Sequence, residues 1–249
     1  LRTQTPFVVV LLGLLILWQA LHVISGSADI PAPAQTGWRL WHMLGTGDFW
    51  RDGWATGAAF GCALLISVSA GVALGVALAL HRQGAAVVEP LLSNFYALPK
   101  VTLYPVVLAF CGLGMAPKIT FGVMHALVPI TLLTVRAIEQ IRPVHWRTAK
   151  SLRLSTPDTI RQVVLPAILP ELIAAVRIGA SLSLLGVLIG EMFAAKRGLG
   201  FAAMGAMGLG DTTAITAIGS FLAIIAVATN LLLLTAERRC TPGGSVLLK

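Results

Sequence analysis

Few residues in this sequence are of a type and spacing to do chemistry. Cys62, Cys111 and Cys240 stand far apart, with no C-x-x-C pair and no histidine at ligand spacing, so they read as structurally inert rather than as zinc or redox ligands. His125 has no carboxylate nearby in sequence, which favours packing or a hydrogen bond to a neighbouring helix over proton relay. The chain contains no H-E-x-x-H, no clustered acidic pair and no G-x-x-x-x-G-K-[ST] phosphate loop. No catalytic, cofactor-binding or metal-binding residue is therefore assigned. What stands out is charge in two places. Arg136 to Arg161 carries Arg136, Arg142, Arg147, Lys150, Arg153 and Arg161 against Glu139 and Asp158, a net +4. Farther on, Arg177, Ser181, Ser183 and Glu191 fall on one apolar run. Ionisable groups inside a membrane are costly and mark functional sites, so these four are candidates for a translocation path or gate. Each has a structural counterpart reading: Arg177 snorkelling or pairing at a helix end, the serines bonding to their own helix, and Glu191 in a salt bridge with Lys196 or Arg197 near the outer mouth.

The elements that must position these groups are apolar. The chain has 249 residues, 57% of them hydrophobic and 11% charged, against roughly 45–50% and about 25% in a soluble domain. An ordinary cytosolic enzyme is excluded. Six apolar runs are long enough to be read as spans, at about 7–24, 55–80, 98–113, 119–135, 168–195 and 214–236. The first is followed by Ser25, Gly26, Ser27 and Ala28, small residues that mimic a cleavage site, but its length suits a permanent anchor. Between the first two runs, Trp38, Trp41, Trp50 and Trp54 suit a segment at the membrane–water boundary. The second run holds Gly57-x-x-x-Gly61 and Gly71-x-x-x-Gly75, read as seams for packing within the chain. Pro99, Pro105 and Pro129 predict bent helices. Residues 85–96 read as a less apolar connection, and Met204 to Met207 as a re-entrant or short helix on the outer side.

With the N-terminus inside, twelve Lys and Arg residues fall on the inner side (Arg2, Arg82, Lys100, the six of the polar loop, Arg238, Arg239 and Lys249) and five on the outer. The positive-inside rule then places both termini in the cytoplasm. The same asymmetry accounts for the formal charge of +8, and no nucleic-acid partner is expected.

The polar loop, about 136–166, has its own pattern. Ile141, Val144 and Leu152 fall near one helical face with Ala149 alongside and cations around them, which predicts a short amphipathic helix. Thr156-Pro157-Asp158 supplies a cap, a proline at the first helical position and an acid in the first turn, so a second helix is predicted from Pro157, ending at Val163-Val164-Leu165-Pro166. Helix, turn, helix, then membrane suits a loop that receives force from a soluble partner. The alternative is a basic amphipathic segment resting on anionic lipid.

Several segments resemble one family. Lys150-Ser151-Leu152, Val163-Val164-Leu165-Pro166-Ala167-Ile168-Leu169-Pro170 and Val176-Arg177-Ile178-Gly179 are similar to the cytoplasmic EAA loop and following helix of ABC-importer permeases, most of all the nitrate, sulfonate and taurine branch. Ile30-Pro31-Ala32-Pro33, Leu98-Pro99, Tyr104-Pro105, Phe110-Cys111-Gly112-Leu113-Gly114 with Lys118-Ile119, and Glu191-Met192-Phe193-Ala194-Ala195 with Gly198-Leu199-Gly200-Phe201 extend the resemblance, in order, from about residue 30 to 236. It implies an all-α integral membrane protein of the type I permease fold with a cytoplasmic coupling helix, in the bacterial inner membrane. It implies a permease without catalytic residues, working with two ABC ATPase subunits that hold ATP and Mg, a second permease that is identical or different, and an extracytoplasmic substrate-binding protein. The cargo would be a small anionic solute such as a sulfonate, taurine or nitrate. The resemblance assigns ATPase coupling to Val144, Arg147, Thr148, Ala149, Lys150, Ser151, Leu152, Arg153 and Leu154. Two positions depart from the family pattern: Arg147 stands where the loop's leading Glu is usual, and Arg153 where a glycine permits a left-handed turn. Arginine carries a steric cost in that conformation. An ion-gradient-driven transporter or channel is the alternative, but it would need paired acids, or an acid with a histidine, deep in the spans.

Overall fold

The computed structural model describes residues 5–25 and 30–240. Gly26, Ser27 and Ala28 of the cleavage-like stretch, and Arg2 and Lys249 of the charge count, lie outside the described residues. Within them every regular element is helical: α1 (Thr5–Ser25), α2 (Pro33–Leu44), α3 (Gly47–Leu80), α4 (Arg82–Ala97), a 3-10 turn (Lys100–Leu103), α5 (Tyr104–Cys111), α6 (Met115–Glu139), α7 (Pro143–Ser151), α8 (Thr156–Thr159), a π turn (Ile160–Val164), α9 (Leu165–Ala167), α10 (Leu169–Ala194), α11 (Leu199–Gly208) and α12 (Thr212–Cys240).

Four helices, α3, α6, α10 and α12, are long and apolar enough to cross a membrane. A further pair, Val87–Ala97 and Lys100–Cys111, is apolar enough only when its two helices are taken together, and they meet at 89°, the shape of a broken span or of a re-entrant loop. The described apolar part of α1, Val9–Ser25, is shorter. Residues 85–96, expected as a connection, are thus helical and form one arm of the broken pair. The break has a local cause, because Leu98 precedes Pro99 and is held extended at φ −65°, ψ 139°. Lys100, placed on the inner side by the charge count, is tucked at this bend. Its ammonium donates to the Tyr96 carbonyl at 3.0 Å and lies 4.6 Å from the Tyr96 ring centre.

α6 is the axis of the fold, packed against α3 on one side and α10 on the other. Glycine makes the α3 contact possible. A Cβ on Gly75 would stand 2.6 Å from the Cβ of Thr134 and 2.9 Å from the Thr131 carbonyl, so only a residue without one allows α6 this close. The other glycine pair behaves differently: Gly57 and Gly61 have nothing within 4 Å of where a Cβ would be. The expectation that both pairs are seams within the chain holds for Gly71 and Gly75 alone. α3 also starts earlier than the expected 55, at Gly47, which puts Trp50 and Trp54 on the helix itself.

Candidate functional site

α7 begins at Pro143, after the extended N-cap residue Arg142, and runs for nine residues. Helical periodicity divides it sharply. Ala149 is 4% exposed, and Trp146 packs with Ile160 onto the cluster of Val76, Ala137, Ile138, Ile141, Val164 and Ile168, where the ends of α3, α6 and α10 meet. The opposite ridge is solvent-facing, with Val144 57% and Leu152 66% exposed and Arg147, Thr148 and Ser151 exposed beside them. The predicted apolar face is therefore split. Ile141 precedes the helix and joins the core, while Val144 and Leu152 point away from it. Ala149, assigned to the coupling surface, faces the chain's own interior, and Leu154 is half-buried. Trp146, the anchor, was missed; a tryptophan three residues before the one small buried residue of a polar helix was the available signal.

α7 ends on a strained residue. Among the described residues, Arg153 is the one non-glycine with positive φ, at 50°, the left-handed conformation that the family's glycine position suggests. The turn is closed by the Leu154 amide donating to the Ala149 carbonyl at 3.1 Å and the Arg153 amide to the Lys150 carbonyl at 3.0 Å. The next helix starts one residue before the predicted Pro157. Ser155, not Thr156, is its cap, with Ser155 Oγ accepting from the Asp158 amide at 3.3 Å. Pro166 does not end this helix either. A π turn carries the chain through it, the Leu165 amide donating to the Ile160 carbonyl five residues back, and the reset comes at Ile168.

At the other end of α10 the charges are enclosed. Glu191 is fully buried, and its partner is Lys118 at 3.2 Å, not Lys196 or Arg197, whose side chains are largely in the open. Thr56 Oγ1 lies 2.9 and 2.8 Å from the two carboxylate oxygens, the Gly200 amide donates to Oε2 at 2.9 Å, and the Leu199 amide donates to Thr56 Oγ1 at 2.8 Å. Lys118 also donates to the Arg197 carbonyl, and the Gly198 amide to Asp52 at 3.0 Å. Four elements, α3, α6, α10 and the turn into α11, are tied through one carboxylate. Gly198 is required there: its φ is +133°, and the Glu191 carboxylate fills the space a Cβ would need. Lys118 was in the outer charge count and Thr56 was in the second run, but nothing in their spacing linked them to Glu191.

The four residues proposed from the fifth span do not share one passage. Arg177 forms an ion pair with Glu237 at 3.4 Å, linking α10 to the end of α12. Ser181 is exposed and donates to the Arg177 carbonyl of its own helix at 3.4 Å. Ser183 is enclosed, its hydroxyl beside Gly122, and it has no hydrogen-bond partner among the described residues. Glu191 belongs to the buried knot. His125 Nδ1 donates to the Phe121 carbonyl of its own helix at 2.8 Å, rather than to a neighbouring helix. Among the described residues no group of three or more His, Cys, Asp or Glu could hold a metal.

Known proteins resemble this chain in sequence and in fold. Residues 68–242 match the family described as "Binding-protein-dependent transport system inner membrane component". The riboflavin transport system permease protein RibX of Chloroflexus aurantiacus is 33% identical over 92% of this chain and 87% of its own length. The taurine transport system permease protein TauC of Escherichia coli is 28% identical over 63% of this chain and 57% of its own, and the putative aliphatic sulfonates transport permease protein SsuC of the same organism 27% over 78% and 74%. A chain of the MetNI methionine ABC transporter in an inward-facing conformation superposes with a TM-score of 0.70 at 19% identity, covering 77% of this chain and 95% of that one, which is a likeness of fold.

Proposed function

The chain belongs to the family of binding-protein-dependent transport system inner membrane components, the non-catalytic permease subunits of ATP-binding-cassette importers, and from that premise we propose that α7 is where it meets its ATPase. The observation that carries this reading is the division of α7 into an anchored face and an exposed one. Trp146 packs against the cluster where the ends of α3 and α6 meet the entry to α10, and Ala149 is buried on the same helix, so a push on the ridge of Val144, Thr148 and Leu152 is passed to that junction. Arg147 and Ser151 border that ridge, Arg153 follows its end, Lys150 lies on the Trp146 and Ala149 side, and Leu154 locks the turn behind it. Cavities of about 220 and 230 Å³ flank α7, one lined by Leu80, Trp146 and Ala149, the other by Arg142, His145 and Glu171. A short helix seated on one side and open on the other is the kind of rigid-body element that switching transporters use.

In this reading two ATPase subunits, carrying ATP and Mg, act on two permeases, and α7 and both termini are cytoplasmic. Glu191 and Lys118 then lie at the outer end, holding α11 against the bundle on the side where a substrate-binding protein delivers cargo. Arg177 braces α10 against α12 near the inner side, and Ser181 is the one path candidate of the four with an open side chain. The cargo class we favour is a small anionic solute of the sulfonate, taurine or nitrate type, supported by the similarity to TauC and SsuC. A flavin-like cargo is the second reading, supported by the longer match to RibX. The gradient-driven alternative is not favoured by membership of this family. The test is purification of the tagged chain with and without Leu152→Asp. A P-loop ATPase that accompanies the wild type and is lost from the variant supports the reading, and equal recovery of the ATPase with both proteins contradicts it. Uptake of labelled taurine against labelled riboflavin by the reconstituted complex separates the two cargo readings.

A further inference from the structure

If α7 is the ATPase contact, its exposed side chains specify the groove that receives it. Val144, Thr148 and Leu152 are spaced by four along one exposed ridge. Arg147 flanks that ridge, about 60° around the helix from Val144, and Arg153 follows Leu152 with its backbone turned left-handed at the ridge's end, both side chains exposed. Residues 140–157 contain Arg142, Arg147, Lys150 and Arg153 and no acid. None of the four forms an ion pair among the described residues. The next acid, Asp158, is occupied by Ser155, whose hydroxyl donates to its carboxylate.

Two kinds of partner could satisfy exposed cations around apolar residues. A helix built to lie on anionic lipid separates its apolar stripe from its cationic face. On α7 the exposed apolar stripe is only two side chains, Val144 and Leu152, with Thr148 between them and Arg147 flanking the Val144 side, while Ala149 beyond Leu152 is already buried in the chain's own interior. Lipid binding by such a helix scales with the apolar area it buries, and two side chains supply little of it. A protein groove can receive a short apolar stripe together with the cations beside it, so it is the better match.

We propose that the ATPase groove for this permease is acidic: two apolar sockets take Val144 and Leu152, and carboxylates beside and beyond them face Arg147 and Arg153. The proposal rests on α7 being the ATPase contact. Charge of this kind sets partner choice as well as affinity, because an ATPase with a basic or neutral groove would leave these arginines repelled or unpaired.

The experiment uses the full chain in nanodiscs of neutral phosphatidylcholine with its copurified P-loop ATPase, and reads the dissociation constant of the complex. For the wild type, raising salt from about 50 to about 500 mM weakens binding roughly tenfold or more, because exposed charge pairs are screened. Arg147→Glu with Arg153→Glu weakens it at least about tenfold at low salt and reverses the salt dependence, since repulsion is then what salt screens. The neutral pair Arg147→Gln and Arg153→Gln loses most of the salt dependence and controls for misfolding of the reversed variant. If the reversed variant binds like wild type while Leu152→Asp does not bind, the acidic groove is wrong and the contact at α7 stands. If wild-type binding requires phosphatidylglycerol in the nanodisc, the cations serve lipid and the proposal is overturned. Should no P-loop ATPase accompany the wild type even after cross-linking, the contact reading and the acidic groove fall together.

Discussion

Glu191 and Lys118 at one end of α10 have side chains 0% and 5% exposed, while Arg147 and Arg153 beyond its other end are in the open without ion-pair partners among the described residues. Some twenty residues, about 30 Å of helix, separate Glu191 from Glu171 at the start of α10. At the Glu191 end the donors are directed at the Glu191 and Asp52 carboxylates, the Arg197 carbonyl and the Thr56 hydroxyl, and α3, α6, α10 and α11 cannot separate without exposing an unpaired charge. Among the described residues, the α7 end is held by apolar contacts, through buried Ala149 and half-buried Trp146, and Arg147 and Arg153 are exposed without ion-pair partners. Under the proposed coupling role for α7, a bundle fixed at one end and loaded at the other would transmit a push as a tilt rather than as local unfolding. On that proposal, the difference between the ends separates where the chain holds from where it is moved.

The largest expected effect lies at the fixed end. Lys118→Met strands the Glu191 carboxylate in the interior, and the thermal midpoint in detergent should fall by the equivalent of about 3–5 kcal/mol. Adding Glu191→Gln should restore a large part of that loss, whereas an equal loss in both variants would mean that Lys118 acts by packing alone. Next, Gly198→Ala forces a Cβ into φ +133° and against the Glu191 carboxylate, with an expected cost of about 2 kcal/mol by the same assay. At the open end the comparison sharpens on two neighbouring substitutions. Leu152→Asp should leave the midpoint within about 0.5 kcal/mol yet abolish uptake by the reconstituted complex. Ala149→Asp, which buries a carboxylate, should lose both uptake and about 2 kcal/mol of stability. If the two variants behave alike, α7 has no separate anchored and exposed faces. The smallest effect is a gain: Arg153→Gly relieves the left-handed strain and should raise stability by about 0.5–1 kcal/mol, with Arg153→Ala giving none of it.

Much of this was legible in the sequence, and what was not has identifiable physical causes. Long apolar runs announce helices whatever they pack on, so α6, α10 and α12 were readable, as was the strain at Arg153, a property of one residue in one known turn. Periodicity alone could not say which face of α7 is buried, because Val144, Ala149 and Leu152 are all apolar and only the packing of Trp146 decides. The bend at Leu98 was readable from Pro99, but the helix before it was not, since residues 82–97 mix polar and apolar groups. Glu191 was identified as a candidate and given the wrong partner. Lys196 and Arg197 are close in sequence, whereas Lys118 is seventy-three residues away and meets it only because α6 and α10 pack side by side.

The most direct test of the two-ended account is site-specific photo-cross-linking in membranes, with a benzoylphenylalanine placed at Leu152 in one protein and at Trp54, exposed near the Glu191 end, in another. The account predicts an adduct with the P-loop ATPase from position 152 and none from position 54. An ATPase adduct from position 54, or adducts from position 152 with lipid alone, would contradict it.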